Sequence, residues 1–243
     1  MAQNIKLISS GISFIDQNWG GFYSGGTYLV FGPRKSGRTS MGLQFSWQGA
    51  MQNEVCVYFT SMRPRNIIIQ AESMGMDIQT YIDKNLIVMV RTALPYVQAR
   101  DNADEHLAAF MRDTLNVVEA FNPDRLVFDE LTPYVDFEDL NGLENTFLET
   151  TEILEENNIT SLYLLSEPAT PRAQSILERL LKNVTGHISF QKTDNENGVD
   201  PRSAKITITP NIGHNKGRLV ADYALPPNRQ MTMHSNLKHA SNL

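Results

Sequence analysis

The sequence predicts an α/β domain with a mainly parallel central sheet flanked by helices and an antiparallel edge at its C-terminal end. Three observations carry this. From Thr27 to Val184, short apolar runs alternate with segments whose apolar residues recur every three or four places, the pattern of strands buried between helices. From Gly186 onward the helical segments stop and strand-like runs follow one another directly, as antiparallel strands do. The 243 residues, 41% of them hydrophobic, are also enough for the core of one such domain.

The elements follow in order. Thr27-Tyr28-Leu29-Val30-Phe31 is an apolar, β-rich run, and Ser40 to Trp47 has the spacing of a helix. Val55-Cys56-Val57-Tyr58-Phe59, ending at Thr60, is a second strand, Ile67 to Gly75 a helix, and Leu86 to Val90 a third strand. Leu107, Met111, Leu115 and Val118 fall on one helical face, and Arg125-Leu126-Val127-Phe128-Asp129 follows as a short buried strand. Leu140, Leu143, Phe147 and Leu154 mark a further helix, Leu162 to Leu165 a strand, and Pro171 to Val184 a helix. Ile188 to Phe190, Lys205 to Thr209 and Leu219 to Tyr223 are the strands of the antiparallel edge. Thr193 to Pro201 is acidic and rich in turn residues, which predicts an exposed hairpin loop. After Pro226-Pro227 the chain turns polar, so the organisation expected is one domain over residues 1–227 and a flexible C-terminal tail over 228–243.

Composition narrows the function. A net charge of −6 argues against a broad nonspecific nucleic-acid footprint. No apolar run has the length of a membrane span and the first residues lack a signal-peptide pattern, so a cytoplasmic location is expected. The lone Cys56 excludes an intrachain disulfide, and its apolar setting points to packing. His106, His187, His214, His234 and His239 lack the spacing of a metal site.

The strongest motif is Gly32-Pro33-Arg34-Lys35-Ser36-Gly37-Arg38-Thr39, set between the first strand and its helix. Two glycines at this spacing let backbone N–H groups curl round an anion, and the helix N-terminus adds partial positive charge. The candidate nucleotide-binding residues are therefore Gly32, Pro33, Arg34, Lys35, Ser36, Gly37, Arg38, Thr39 and Ser40. The expected ligand is ATP or ADP with Mg²⁺, and the Thr39 hydroxyl is the first candidate metal ligand. The second should be an acid ending a buried strand, which Asp129 supplies. Glu130 beside it is the candidate catalytic acid for orienting water. One position departs from the motif: Arg38 stands where a lysine belongs, and its planar fork does not replace a compact ammonium.

The chain resembles the RecA superfamily, most closely the single-domain relatives of the circadian-clock ATPase KaiC. The resemblance runs over about residues 7 to 225 and rests on Ser10-Gly11-Ile12-Ser13-Phe14-Ile15-Asp16, Trp19-Gly20-Gly21-Phe22, Gly25-Gly26-Thr27, the loop, Gly75-Met76-Asp77 and Leu164-Leu165-Ser166-Glu167. It implies a RecA-like P-loop fold in a cytoplasmic ATP-binding domain that assembles into a ring or filament, with itself or with a related RecA-like subunit. The resemblance also implies a pair of water-activating glutamates after the second strand, where this chain has Met62 and Arg63. Basic residues that would reach a neighbour's γ-phosphate are implied where Pro210 and Ile212 stand, leaving Lys216 and Arg218 as displaced candidates.

With the lysine, the glutamates and the basic finger all replaced, the function expected is ATP binding by a degenerate site with weak or no hydrolysis. Such a pseudo-ATPase would act as a regulatory or assembly component through oligomerisation or a protein partner. Two alternatives remain open: a slow genuine ATPase using Glu130 and Arg38, and a recombination-type protein that binds single-stranded DNA.

Overall fold

A computed structural model describes residues 6–92, 103–131, 139–195, 198–214, 217–224 and 232–234. The N-terminal segment folds as a two-stranded antiparallel ribbon, β1 (Leu7–Ile8) with β2 (Phe22–Tyr23), around helix α1 (Ser13–Trp19). Asp16 anchors its turn by accepting hydrogen bonds from Ser9 Oγ and from Ser10 N and Oγ.

The five runs read as buried strands are β3 (Thr27–Gly32), β4 (Cys56–Thr60), β5 (Ile87–Arg91), β6 (Arg125–Asp129) and β7 (Thr160–Ser166). They pair in parallel in the order β3-β7-β6-β4-β5. On the other side of β3 lies β8 (Gly186–Asn195), also parallel, followed by β9 (Gly198–Pro210), β10 (Leu219–Ala224) and β11 (Thr232–His234), all antiparallel to their neighbours. The sheet is thus mainly parallel with an antiparallel edge, as the sequence predicts.

Side-chain alternation splits the core into two layers. Tyr28 and Val30 of β3, Leu162 and Leu164 of β7 and Val127 of β6 face a cluster built with Met41 and Phe45 of α2 (Arg38–Met51) and Ile67 of α3 (Pro64–Ser73). Leu29, Tyr163, Leu126 and Phe128 face the opposite cluster, with Phe147 of α6 (Leu140–Glu156) and Ile176 and Leu180 of α7 (Pro171–Lys182). α4 (Gln79–Asp83) joins the first layer through Ile82 and α5 (Ala103–Phe121) the second through Val118. The side chains of Leu107 and Met111 lie outside the described set.

Arg125, the first residue of β6, is fully buried. Its guanidinium donates to Glu54 Oε2 (2.5 Å), the Ser9 carbonyl (2.8 Å), the Phe45 carbonyl (3.0 Å) and Gln52 Oε1 (3.3 Å), and it lies over the Phe45 ring. Gly49 makes room for it, since a Cβ there would come within 2.5 Å of Arg125 Nε. One buried cation therefore ties the N-terminal segment, α2 and β6 together.

Boundaries differ from the sequence reading where backbone chemistry, not side-chain pattern, sets them. α3 starts at Pro64, with proline at a helix start, where its missing N–H costs nothing. The segment Thr193 to Pro201 is mostly strand: β8 runs to Asn195 and β9 starts at Gly198, with a register irregularity between Lys192 and Asp194. Ladder hydrogen bonds use backbone groups, so acidic side chains do not stop the pairing. Within the segment expected to be a tail, Thr232–His234 pair with β10, Asp222 opposite His234; residues 225–231 and 235–243 lie outside the described residues, among them His239.

Candidate functional site

The carboxyl ends of β3, β7 and β6 lie side by side, and the loop leaves from the first of them. Open α/β sheets place ligands at this edge. Gly37 caps α2 with φ 104°, a left-handed conformation that a side chain would strain, and no side chain caps the helix. The first-turn N–H groups of α2 therefore remain available to an anion. Arg34 and Lys35 are exposed, whereas Ser36, Arg38 and Ser40 are buried. Ser36 is 3% exposed, and its hydroxyl has no hydrogen-bond partner among the described residues. A buried orphan donor at the centre of a phosphate-type loop fits an anionic ligand, whose oxygens would satisfy it.

Asp129 ends β6 and is 7% exposed. It accepts hydrogen bonds from Thr39 Oγ1 (3.2 Å) and Tyr58 Oη (2.7 Å). The two residues singled out as metal ligands, ninety positions apart, are thus in direct contact. Burial pushes the Asp129 carboxyl up, against the pull of the Tyr58 and Thr39 hydroxyls. Burial likewise holds the Tyr58 phenol well above its ordinary value, so it remains a donor. A hydroxyl beside a carboxylate is a donor set suited to hydrated Mg²⁺. A cation there would also favour ionised Asp129 and offset the charge of a polyphosphate.

A second network begins one residue further on. Arg38 Nη2 donates to Ser166 Oγ (3.2 Å), and Arg38 Nη1 lies 3.5 Å from Glu130 Oε2. Ser166 Oγ donates to Glu130 Oε1. Burial lowers the Arg38 pKa, and the nearby Glu130 and Asp129 carboxylates oppose that shift. Glu130, expected from the sequence to orient water, is joined to Arg38 and Ser166.

The residues at the other positions of interest are placed differently. Met62 and Arg63 are exposed just beyond β4, where the Met62 N–H donates to Thr60 Oγ1 (3.1 Å). Ile212 is 67% exposed past the end of β9, and Arg218 is exposed before β10. Lys216 lies outside the described residues. Among the described residues no ion pair joins Arg63 or Arg218 to the loop. Sequence reasoning missed Tyr58 and Ser166 as members of the site. The signal for Tyr58 was a phenol in the middle of an apolar strand, since a buried Tyr hydroxyl seeks a partner.

Comparisons with known proteins agree with this geometry. A KaiC-like protein from Pyrococcus horikoshii superposes with a TM-score of 0.71 at 22% identity, over 95% of this chain and 100% of that one. At that identity the likeness shows the fold. Among curated proteins, the chain is 26% identical to the circadian clock protein KaiC2 of Synechocystis over 64% of its length. It is 22% identical to the circadian clock oscillator protein KaiC of Parathermosynechococcus lividus over 89% of its length. It spans only 26% and 39% of those two relatives. The family profile described as "ATPase: KaiC" matches residues 8–218, which include helix α1, the loop, Asp129, Glu130 and Ser166. A match over most of the chain, on a RecA-like sheet with the loop and its acid in place, makes this chain a member of the KaiC ATPase family.

Proposed function

We propose that this ATP-binding KaiC/RecA-like protein has a degenerate catalytic site. It would bind ATP or ADP with Mg²⁺ through residues 32–40 and Asp129, and turn ATP over slowly or not at all. It would act in the cytoplasm as a regulatory or assembly component, through a ring or filament of its own copies, a related RecA-like subunit or another protein partner. The observation that carries this reading is the state of the acids. Asp129 is held by two hydroxyls in a manner suited to a metal, whereas Glu130 is tied to Arg38 and Ser166. Exposed Met62 and Arg63 stand where the family resemblance implies glutamates. Phosphoryl transfer depends on positioned charge and an oriented water, and neither Met62 nor Arg63 can act as a base.

A slow genuine ATPase is the second reading, favoured by the presence of Glu130 at the site's edge, with its side chain 31% exposed. Radiolabelled ATP turnover with the wild-type chain and Glu130→Gln separates the two. Binding of Mg-ATP without turnover supports the first. Turnover that Glu130→Gln abolishes replaces it with the second.

A further inference from the structure

We propose that Arg38 and Glu130 form an internal lock, in which the Glu130 carboxylate competes with the phosphates of a bound nucleotide for the single buried guanidinium of the loop. This rests on the proposed nucleotide-binding reading and concerns how that same site is regulated.

Five observations carry the lock. Arg38 opens α2 directly after the loop, yet its guanidinium reaches Ser166 at the end of β7 and Glu130 beyond β6. The side chain is 9% exposed, so a cation held here is largely desolvated and strongly drawn to any anion within reach. Ser166 closes the triangle by donating to Glu130 while accepting from Arg38. Arg38 Nη1 faces Glu130 Oε2 at 3.5 Å, too long for a well-formed hydrogen bond, and among the described residues it has no closer acceptor. Among the described residues, Arg38 is the one ion-pair partner of Glu130.

The chemistry makes the two anions rivals. A polyphosphate brought to Arg38 also comes to Glu130, and like charges at close range are costly. Binding therefore parts Glu130 from its cation, and loss of the nucleotide restores the pair. Ser166 makes the swap visible beyond the loop. It ends β7, and the next residue, Glu167, donates its backbone N–H to the Gly32 carbonyl (2.9 Å), so the loop is hinged to the segment leading into α7. A lysine at position 38 lacks the planar fork that spans Ser166 and Glu130 together. The arginine is thus what allows the clasp.

Titration of a fluorescent ADP analogue with Mg²⁺ into the wild-type chain, Glu130→Gln, Arg38→Met and the double variant tests the lock, with the melting temperature of each checked first. Glu130→Gln should tighten binding about tenfold, the scale of one hydrogen bond to a charged group. In the Arg38→Met background the same change should matter less than about twofold, because a coupling through Arg38 vanishes when Arg38 is gone. Ser166→Ala, which alters no charge, should tighten binding in the same direction by a smaller factor. Equal tightening in both backgrounds would mean that Glu130 repels phosphate directly, and would overturn the lock. Weaker or unchanged binding of Glu130→Gln, or weaker binding of Ser166→Ala, would overturn it too. Failure of the underlying reading has a different pattern: none of the proteins binds the analogue, which removes both proposals.

Discussion

Replacing Tyr58 by Phe removes one oxygen from a side chain that is 1% exposed, and with it the 2.7 Å hydrogen bond to Asp129. Among the described residues, the carboxylate then keeps one side-chain donor, the Thr39 hydroxyl at 3.2 Å. A hydrogen bond to a charged group contributes about 1.5–3 kcal/mol, and nothing polar replaces the phenol at the centre of β4. Taking about 2 kcal/mol and roughly 2–4 °C per kcal/mol for a chain of this size, the melting temperature at neutral pH should fall by about 4–8 °C. The function should suffer separately. A ligand carboxylate freed from its orienting partner typically loses about 10–100-fold in metal affinity, so the Mg²⁺ concentration needed to support binding of a fluorescent ATP analogue should rise by about that factor. Scanning calorimetry reads the first effect and a Mg²⁺ titration at fixed analogue the second. A variant that melts within about 1 °C of the wild type would refute the stability argument, given the expected loss per hydrogen bond. An unchanged Mg²⁺ requirement would refute the role of Tyr58 in orienting Asp129 as a metal ligand.

Two further outcomes are expected. Arg125→Met keeps an unbranched stem but leaves Glu54 and the Ser9 and Phe45 carbonyls without their shared donor; the loss of a buried ion-pair partner costs about 3–5 kcal/mol, which thermal unfolding should report as a fall of about 10 °C, and a fall under about 3 °C would contradict the buried-pin account. His214 is 6% exposed, stacked on Trp19 at 4.1 Å and packed against Tyr23, with its ring 3.4 Å from Tyr28 Oη and, among the described residues, no ion pair to a carboxylate; burial lowers its pKa below 6.5, as it does for His187. The unfolded chain then takes up protons that the folded one refuses, so stability is full above pH 6.5 and declines as pH falls from there to the lower folded values. The slope is at most about 1.4 kcal/mol per pH unit for each histidine. His214→Asn, whose side chain tolerates the positive φ of this position, should flatten part of that slope in melting curves taken on both sides of pH 6.5, and an unchanged slope would refute the assignment.

The fold was legible where burial on both faces forced runs of three or four consecutive apolar residues, as in residues 56–59 and 126–128, because local sequence alone records that constraint. The extension of β8 and β9 into polar sequence and the pairing of Thr232–His234 were not, since backbone ladders leave no side-chain pattern. The site divides in the same way. Residues 32–40 and Thr39 could be assigned because a strand, two glycines and a helix fix the loop's geometry within a few residues. Asp129 followed from its place at a strand end. Tyr58 and Ser166 could not, because they matter only through sheet order: β4 and β7 flank β6, and that adjacency sets one on each side of the Asp129–Glu130 pair.

That adjacency is also what the proposal of binding without turnover rests on. Asp129 and Glu130 are consecutive residues, yet they belong to different networks: Thr39 and Tyr58 hold the first, Arg38 and Ser166 the second. The first network presents a carboxylate and hydroxyls and, among the described residues, no ion pair, and a metal would answer that imbalance. The second already contains its cation, so its carboxylate is neutralised within the protein. On the proposed reading, charge enters the site at Asp129 and is cancelled at Glu130, and the two halves of phosphoryl transfer, holding the phosphates and orienting water, come apart. A lysine at position 38 would bind less firmly to the Glu130–Ser166 pair. On this account, Arg38→Lys should loosen Glu130 and raise ATP turnover above the wild-type level in a radiolabelled assay. Turnover unchanged or lower in Arg38→Lys, with nucleotide still bound, would show that the arginine is not what separates binding from hydrolysis.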